Sequence, residues 1–278
     1  MIWLDSPAGL TAFLQKHADT RRIGMDTEFI RERTYYPQLA LVQICIDDEI
    51  ALIDAAKPEV AILLKPMLEN PAILKIMHSC SEDLQAFKVG CGVVPTPVFD
   101  TQTAAAMCGL GASLSYLKLV EQLCAVTLEK GETRSDWLQR PLTDSQKHYA
   151  ADDVRYLFAM HTHLDTRLHE LGRHDWLDAD CARAVANAVE EQADANPHLG
   201  IRSNQPLDAA SQLRLRRILR WRDARAIEKN KPKRWIIDND AAFALARQPF
   251  NFIDELDAVL SRYPKAPKGA RNHLFAML

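Results

Sequence analysis

No stretch of this 278-residue sequence approaches the roughly 18 uninterrupted apolar residues of a membrane-spanning helix, so an embedded protein is not expected. The N-terminus, MIWLDSPAGL, has an acid at position 5 and no basic segment ahead of its apolar residues, which argues against a secretory leader. Cysteine is sparse and scattered. The six, at positions 45, 80, 91, 108, 124 and 181, form no C-x-x-C pair. That spacing speaks against a zinc site or a disulfide framework and predicts reduced, core-filling thiols in a cytoplasmic protein. Lipidation and retention signals, internal repeats and low-complexity tracts are also missing.

What is present is ordinary in bulk and uneven in detail. Hydrophobic residues make up 47% and charged residues 26%, which suits a soluble chain with one full core and residues left for a small second domain. The net charge of −3 hides a division. Residues 206–278 hold fifteen basic and eight acidic side chains, +7, leaving nineteen basic and twenty-nine acidic elsewhere, −10. An acidic body with a basic tail suggests that the tail meets a polyanion, although a solvated helical face would look the same.

The first half reads as α/β. In RIGMDTEF, Ile23, Met25, Thr27 and Phe29 face one way and Gly24, Asp26 and Glu28 the other. LALVQICID and EIALIDA follow as two strands, with Asp47 and Asp48 in a hairpin turn between them. A helix is predicted from Pro58 to Leu68, then the strand AILKIMHS and a helix from about Ser81. The order β-β-β-α-β-α gives a mixed sheet covered by helices. From Thr101 onward the pattern is helical. The clearest helix spans Ser145–Leu171 and stops at Gly172; another covers 176–194. Residues 196–206 read as a linker, and a strongly basic helix follows, ended by Pro232.

Three groups of acids stand out. Asp26 and Glu28, two apart on a strand, share one face, where each raises the other's pKa unless a cation sits between them. Hard oxygen donors suit Mg²⁺ or Mn²⁺. Alone, a D-x-E is read as readily as the wet face of an edge strand. Asp83 lies in the first turn of S-E-D-L-Q-A-F, where the helix dipole favours an anion and simple capping would suffice. Tyr149 and Asp153 are four apart in Y-A-A-D-D-V-R-Y-L and project from nearly one helical face; Asp152 is rotated away by about 100°.

D-T-E-F at 26–29, H-S-C-S-E-D-L at 78–84 and Y-x-x-x-D at 149–153 resemble the three exonuclease motifs of the DEDD superfamily. TRSDWLQRPLT at 133–143 narrows the resemblance to ribonuclease D and its relatives. It covers roughly residues 1–195 and implies an RNase H-like fold and a 3′→5′ exoribonuclease holding two divalent cations, Mg²⁺ or Mn²⁺. Asp26, Glu28, Asp83 and Asp153 are then the metal ligands. The implied partition gives one ion to Asp26, Glu28 and Asp153, and the other to Asp26 with Asp83. Subclasses of this superfamily place Tyr four residues, or His five residues, before the last aspartate, and both Tyr149 and His148 are present. On a helix the first lies about 40° from Asp153 and the second about 140°. The motif context matches the tyrosine subclass, so Tyr149 is assigned to the site and His148 to solvent. Arg134 and Trp137, near Asp136 in the preceding loop, are candidate RNA contacts, although Trp137 would serve equally as a core anchor. The resemblance would let Thr27 and Phe29 touch the terminal nucleotide, while their alternation with Asp26 and Glu28 favours packing in the core.

Residues 213–234 hold ten basic side chains against Asp223 and Glu228, around an apolar stripe of Leu215, Ile218, Leu219 and Ile227. The tail resembles an HRDC domain through W-R-x-x-x-A at 221–226, K-P-K-R-W-I-I and D-E-L-D at 254–257. The expectation is an exonuclease domain over 1–200 and an HRDC-like helical domain over 207–278. The latter would clamp the RNA backbone by charge, with Arg217, Arg220, Lys231 and Lys233 as contacts. Such relatives can carry two modules of this kind, so one module suggests a short homologue or a truncated product. The implied partner is RNA, tRNA precursors in particular, and the expected state is a cytoplasmic monomer. A DNA 3′→5′ exonuclease and an inactive nucleic-acid-binding module are the competing readings.

Overall fold

The chain opens with two elements that periodicity does not single out. β1 (Ile2–Leu4) is too short to show alternation, and α1 (Pro7–Lys16) starts on a Ser6 cap with proline in its first turn. Alternation then governs β2 (Arg22–Ile30), while the nearly continuous apolar runs of β3 (Gln38–Ile46) and β4 (Glu49–Ile53) mark strands covered on both faces. Asp47 adopts a positive φ of 51° in the turn between β3 and β4, which pair antiparallel as expected. The helix predicted over 58–68 is instead broken. α2 (Pro58–Ala61) gives way to a 3₁₀ turn and α3 (Lys65–Glu69), because Pro66 cannot supply the amide that a continuous helix requires.

β5 (Leu74–Met77), α4 (Ser81–Cys91) and a short strand β6 (Val98–Asp100) complete a six-stranded sheet in the order β1-β4-β3-β2-β5-β6. β1, β5 and β6 join parallel to their neighbours and the β2-β3-β4 meander is antiparallel, so the sheet is mixed. Helices follow: α5 (Thr101–Met107), α6 (Tyr116–Cys124), α7 (Asp144–Arg155), α8 (Leu157–Leu171) and α9 (His174–Glu190). The single helix predicted over 145–171 is two. The chain breaks at Tyr156, whose amide donates to the Tyr116 hydroxyl at 3.3 Å instead of continuing the ladder. Gly172 ends α8 in the left-handed conformation, as expected.

This computed structural model describes residues 1–129, 131–132, 135–190, 194–202, 206–263 and 268–278. They form two units, Met1–Ile30 with Pro37–Glu191, and Arg31–Tyr36 with Gln192–Leu278. In the first, Ile23, Met25 and Ile44 pack with Leu84 and Phe87 of α4 on one sheet face. Leu41, Cys45 and Leu52 pack with Ala150, Val154 and Leu157 of α7 and α8 on the other. Gly24 is what lets α8 lie so close, since a Cβ there would stand 3.2 Å from Leu157.

The second unit is built from α10 (Ala209–Lys229), α11 (Lys233–Ile236), α12 (Asn239–Ala246), α13 (Ile253–Leu260) and α14 (Arg271–Met277). Leu215, Ile218 and Leu219 meet Ala242, Leu245 and Leu256 in its core. The segment expected as a linker belongs partly to this unit. Ile201 and Leu207 pack on its core, and Arg216 Nε donates to the Ala195 carbonyl at 2.7 Å. So does Arg31–Tyr36, where the amides of Tyr35 and Tyr36 donate to Asn230 Oδ1 at 3.0 and 3.1 Å. No helix among the described residues is long and apolar enough to cross a membrane.

Candidate active site

β2 pairs with β5 only through Gly24, so Asp26 and Glu28 lie on a stretch of β2 bordered by β3 alone. The register slips between Glu28 and Phe29, a bulge of the kind that re-aims side chains at sites. Both acids leave the face covered by α7, and both are half-buried. Asp83 comes from the opposite face, at the start of α4, and is 8% exposed. Thr27 bridges the two sides, its hydroxyl donating to Asp83 Oδ1. Thr27 is buried, as its alternation favours, and in addition fixes an acid of the cluster. No periodicity reveals that, since a threonine on an apolar face fits the pattern either way.

The start of α4 is itself braced by a residue the motifs did not flag. Asp100 caps α5 and also accepts from the amides of Ser79 and Cys80 at 3.1 and 2.9 Å, holding the turn that launches α4. The readable signal was D-T-Q-T, an acidic cap ahead of a helical run. α7 is fixed at both ends. A Thr143–Gln146 capping box starts it, and the Tyr116 hydroxyl donates to the Asp152 carbonyl at 2.7 Å near its end. Ahead of it, Arg140 donates through Nε and Nη2 to Asp54 at 3.0 and 2.5 Å and to the Ala40 carbonyl at 2.9 Å. The arginine of S-D-W-L-x-R-P-L therefore ties this segment to β3 and to the end of β4.

Tyr149 and Asp153 share the inner side of α7, as their spacing predicts, with the Tyr149 hydroxyl near enough to favour the ionised Asp153 carboxylate. His148 is exposed and its Nδ1 lies 2.7 Å from the Asp144 carbonyl, one turn back on its own helix. Asp152 pairs with Arg155 at 2.7 Å. A cavity of about 460 Å³ opens beside Tyr149 and Asp153, lined also by Leu128, Gly131 and His148. Gly131 is required there, because any Cβ would collide with the Tyr149 ring.

Two of the expected RNA contacts need correction, and a third lies out of view. Trp137 is only 2% exposed and packs behind Tyr149, ring centroids 6.1 Å apart, so a nucleotide cannot stack on it. Lys233 is bound to Asp223 at 2.7 Å and lies over the Tyr35 ring, a contact internal to the second unit. Arg134 falls outside the described residues. Arg217, Arg220 and Lys231 are exposed.

The four acids feel one another strongly. Burial, then the charges of Asp83, Asp153 and Glu28, hold Asp26 well above the usual carboxylate range. Burial and the two neighbouring aspartates push Glu28 up to about 9. Asp83 and Asp153 rise to about 7, again mainly through burial, while the hydroxyls of Thr27 and Tyr149 pull the other way. Tyr149 is driven upward by burial and the surrounding acids, so its hydroxyl stays protonated. Across from Asp26 in register, the amide of Gln43 is fully buried and neither its nitrogen nor its oxygen has a partner. Carboxylates that resist ionisation and an orphaned amide beside them fit a site completed by cations and their water. Among the described residues, the ligand atoms that converge within 4.8 Å belong to His174 with Asp165 and His169, or with Asp175 and Asp178. There His174 is already paired with Asp165 at 3.0 Å and Asp178 at 3.3 Å.

A 3′-5′ exonuclease family model matches residues 1–169. The chain is 49% identical over 276 residues to ribonuclease D of Xanthomonas oryzae pv. oryzae, a match covering 99% of this chain and 76% of that protein. This chain belongs to the ribonuclease D family. With that family it is a hydrolytic 3′→5′ exoribonuclease. The crystal structure of Escherichia coli RNase D superposes on the ribonuclease D-like chain with a TM-score of 0.80 at 30% identity, covering 99% of this chain and 73% of that one. Brucella melitensis NrnC with bound Mg²⁺ is similar to it at a TM-score of 0.58 and 25% identity, covering 68% of this chain and 90% of that one.

Proposed function

We propose that Asp26, Glu28, Asp83 and Asp153 hold two divalent cations, Mg²⁺ or Mn²⁺, and with Tyr149 form the centre that removes nucleotides from RNA 3′ ends. The observation that carries this is the set of four raised carboxylates around one notch in the sheet, too crowded with negative charge to ionise together without cations. Bound there, such ions supply Lewis acidity at the phosphodiester and lower the pKa of water. The Mg²⁺-bound state of Brucella NrnC supports the choice of ion.

The remaining roles belong to the chain. Tyr149, protonated at neutral pH, is a hydrogen-bond donor and orients groups at the site; it is no general base. Thr27 fixes Asp83, and Gly131 leaves room for the Tyr149 ring. Residues 1–200 then serve as the exonuclease domain. Residues 207–278 act as an HRDC-like clamp whose exposed Arg217, Arg220 and Lys231 hold the RNA backbone without reading sequence. The substrates in this reading are tRNA precursors and other structured RNAs with single-stranded 3′ ends, and the enzyme works as a cytoplasmic monomer.

One gel tests the centre. End-labelled single-stranded RNA and DNA are incubated with Mg²⁺, Mn²⁺ or EDTA, beside Asp26→Asn. The expected result is a one-nucleotide ladder shortening RNA from its 3′ end, lost with chelator and with the variant; DNA cut as fast as RNA would refute the substrate assignment. Tyr149→Phe should lower turnover severely while cation binding survives, and His148→Ala should change little. The reverse pattern would move the role to His148.

A further inference from the structure

The proposed clamp uses charge alone, yet its unit holds a cleft of another kind. On α10, Trp221, Arg225 and Glu228 follow at spacings of four and three, so they share one face. Opposite them stand Trp235 of α11 and His273 of α14, around a cavity of about 570 Å³. His273 stacks on Trp221, ring centroids 6.0 Å apart and 30° from parallel. Trp235 is 54% exposed and stands apart from the residues that pack the core of this unit. The Lys231 ammonium lies 5.8 Å from its ring centroid. Lys229 also lines the cleft, and Arg225 is held by both oxygens of Glu228 at 2.8 and 2.6 Å.

One exposed tryptophan is unremarkable on a protein surface. Two indoles and an imidazole around a cavity with room for a nucleobase, with lysines beside it, are harder to explain by packing. The core of the unit is closed mainly by Leu215, Ile218 and Leu219 of α10, with Trp221 packed at its edge and Trp235 outside it. Flat aromatic faces beside cations are what an unpaired base on a phosphate backbone requires. We infer that the cleft between Trp221 and Trp235 is a binding site for an unpaired nucleobase of RNA. The base stacks on Trp235, and Lys229 and Lys231 meet the adjoining phosphates. This rests on the reading of residues 207–278 as RNA-binding and adds to it a contact that depends on bases instead of charge.

The test is a titration of the full chain carrying Asp26→Asn, in EDTA, so that RNA is not shortened. Two labelled probes are compared, single-stranded oligoadenylate and an abasic oligonucleotide of equal length and charge. Trp235→Ala should weaken oligoadenylate binding roughly tenfold, as expected for one stacked base, and leave the abasic probe unaffected. Trp235→Phe should restore most of the loss, which shows that the alanine effect is not misfolding. The slope of affinity against salt should be the same in Trp235→Ala and its parent, because no phosphate contact is removed. Undiminished binding of oligoadenylate by Trp235→Ala, or an equal loss on both probes, overturns the stacking site. If Arg217→Ala lowers the salt slope while Trp235→Ala is silent, the clamp stands and the cleft does not. A salt slope that Arg217→Ala and Arg220→Ala leave unchanged, with a base-dependent loss at Trp235, removes those arginines from the clamp and keeps the cleft.

Discussion

The two units of this chain put charge under opposite conditions. In the first, acids from a strand and from two helices on opposite sheet faces are driven together and partly out of water, where their repulsion has nowhere to dissipate. In the second, bases spread along one long helix, and several are already satisfied. Arg222 is buried against Asp223 and Asn239, Arg214 bonds the Ala246 carbonyl, and Lys233 is held by Asp223. The first arrangement stores unfavourable energy that only a cation relieves. The second stores none, and leaves a few cations in solvent where salt screens them. Chemistry belongs with the first kind of charge and grip with the second.

The sharpest way to break that contrast is to remove an acid. Asp26→Asn deletes one ligand and one repelling charge, so it should lower turnover by roughly a thousandfold or more yet raise the melting temperature of the cation-free protein. Turnover on end-labelled RNA and thermal unfolding in EDTA check both halves; a fall in both would mean Asp26 is a structural group. Gly131→Ala comes next. Its methyl would displace the Tyr149 ring, and misplacing a catalytic group by about 1 Å can cost roughly a hundredfold. Gly200→Ala in the second unit, where a Cβ would meet only the Pro197 carbonyl oxygen at 3.8 Å, is the control and should leave turnover unchanged.

Much of this was legible in residues and some was not. Asp26 with Glu28, and Tyr149 with Asp153, could be paired from periodicities of two and four. Those pairs lie within one element, whose geometry fixes which side chains share a face. Asp83 and Thr27 could not be joined that way. Their bond runs from one sheet face to the helix over it, across 56 positions of sequence, and only the tertiary fold decides it. The same holds for Arg140, whose partners are Ala40 of β3 and Asp54 just beyond β4, and for Trp137, where a loop tryptophan can face out or in. β1 and β6, three residues each, are too short for alternation to register. The break at Tyr156 was hidden because residues 145–171 keep their apolar spacing through it, and the hydroxyl that replaces the lost ladder partner comes from α6.

The acid cluster also sets a pH dependence with an unusual sign. Its carboxylates bind protons more tightly folded than unfolded, where they titrate near 4. The folded state is therefore favoured most below pH 4. That advantage is lost as pH rises through about 7, where Asp83 and Asp153 ionise, and about 9 for Glu28. In EDTA the melting temperature should fall from pH 5 to pH 9, and saturating Mg²⁺ or Mn²⁺ should flatten the decline. Cation binding in that range should also release protons, measurable as a buffer-dependent heat in calorimetry. A melting temperature that rises with pH in EDTA would show that the acids are not in conflict.

The smallest effects belong to the basic helix, where the contrast is sharpened, not broken. Arg217 and Arg220 are exposed, three apart and on one side of α10, so each is suited to a single phosphate. Arg217→Ala and Arg220→Ala should each weaken RNA binding several-fold at low salt and reduce the slope of log affinity against log salt by about 1. Neither should change which sequences are preferred, because phosphate contacts carry no base information. Arg222→Ala, by contrast, removes one of the two cations on a buried aspartate that Lys233 still holds, together with a hydrogen bond to Asn239, and should lower the stability of the unit by about 1–3 kcal/mol. If Arg222→Ala instead reduced the salt slope like its exposed neighbours while the unit stayed folded, the division between structural and RNA-facing arginines on α10 would have to be redrawn.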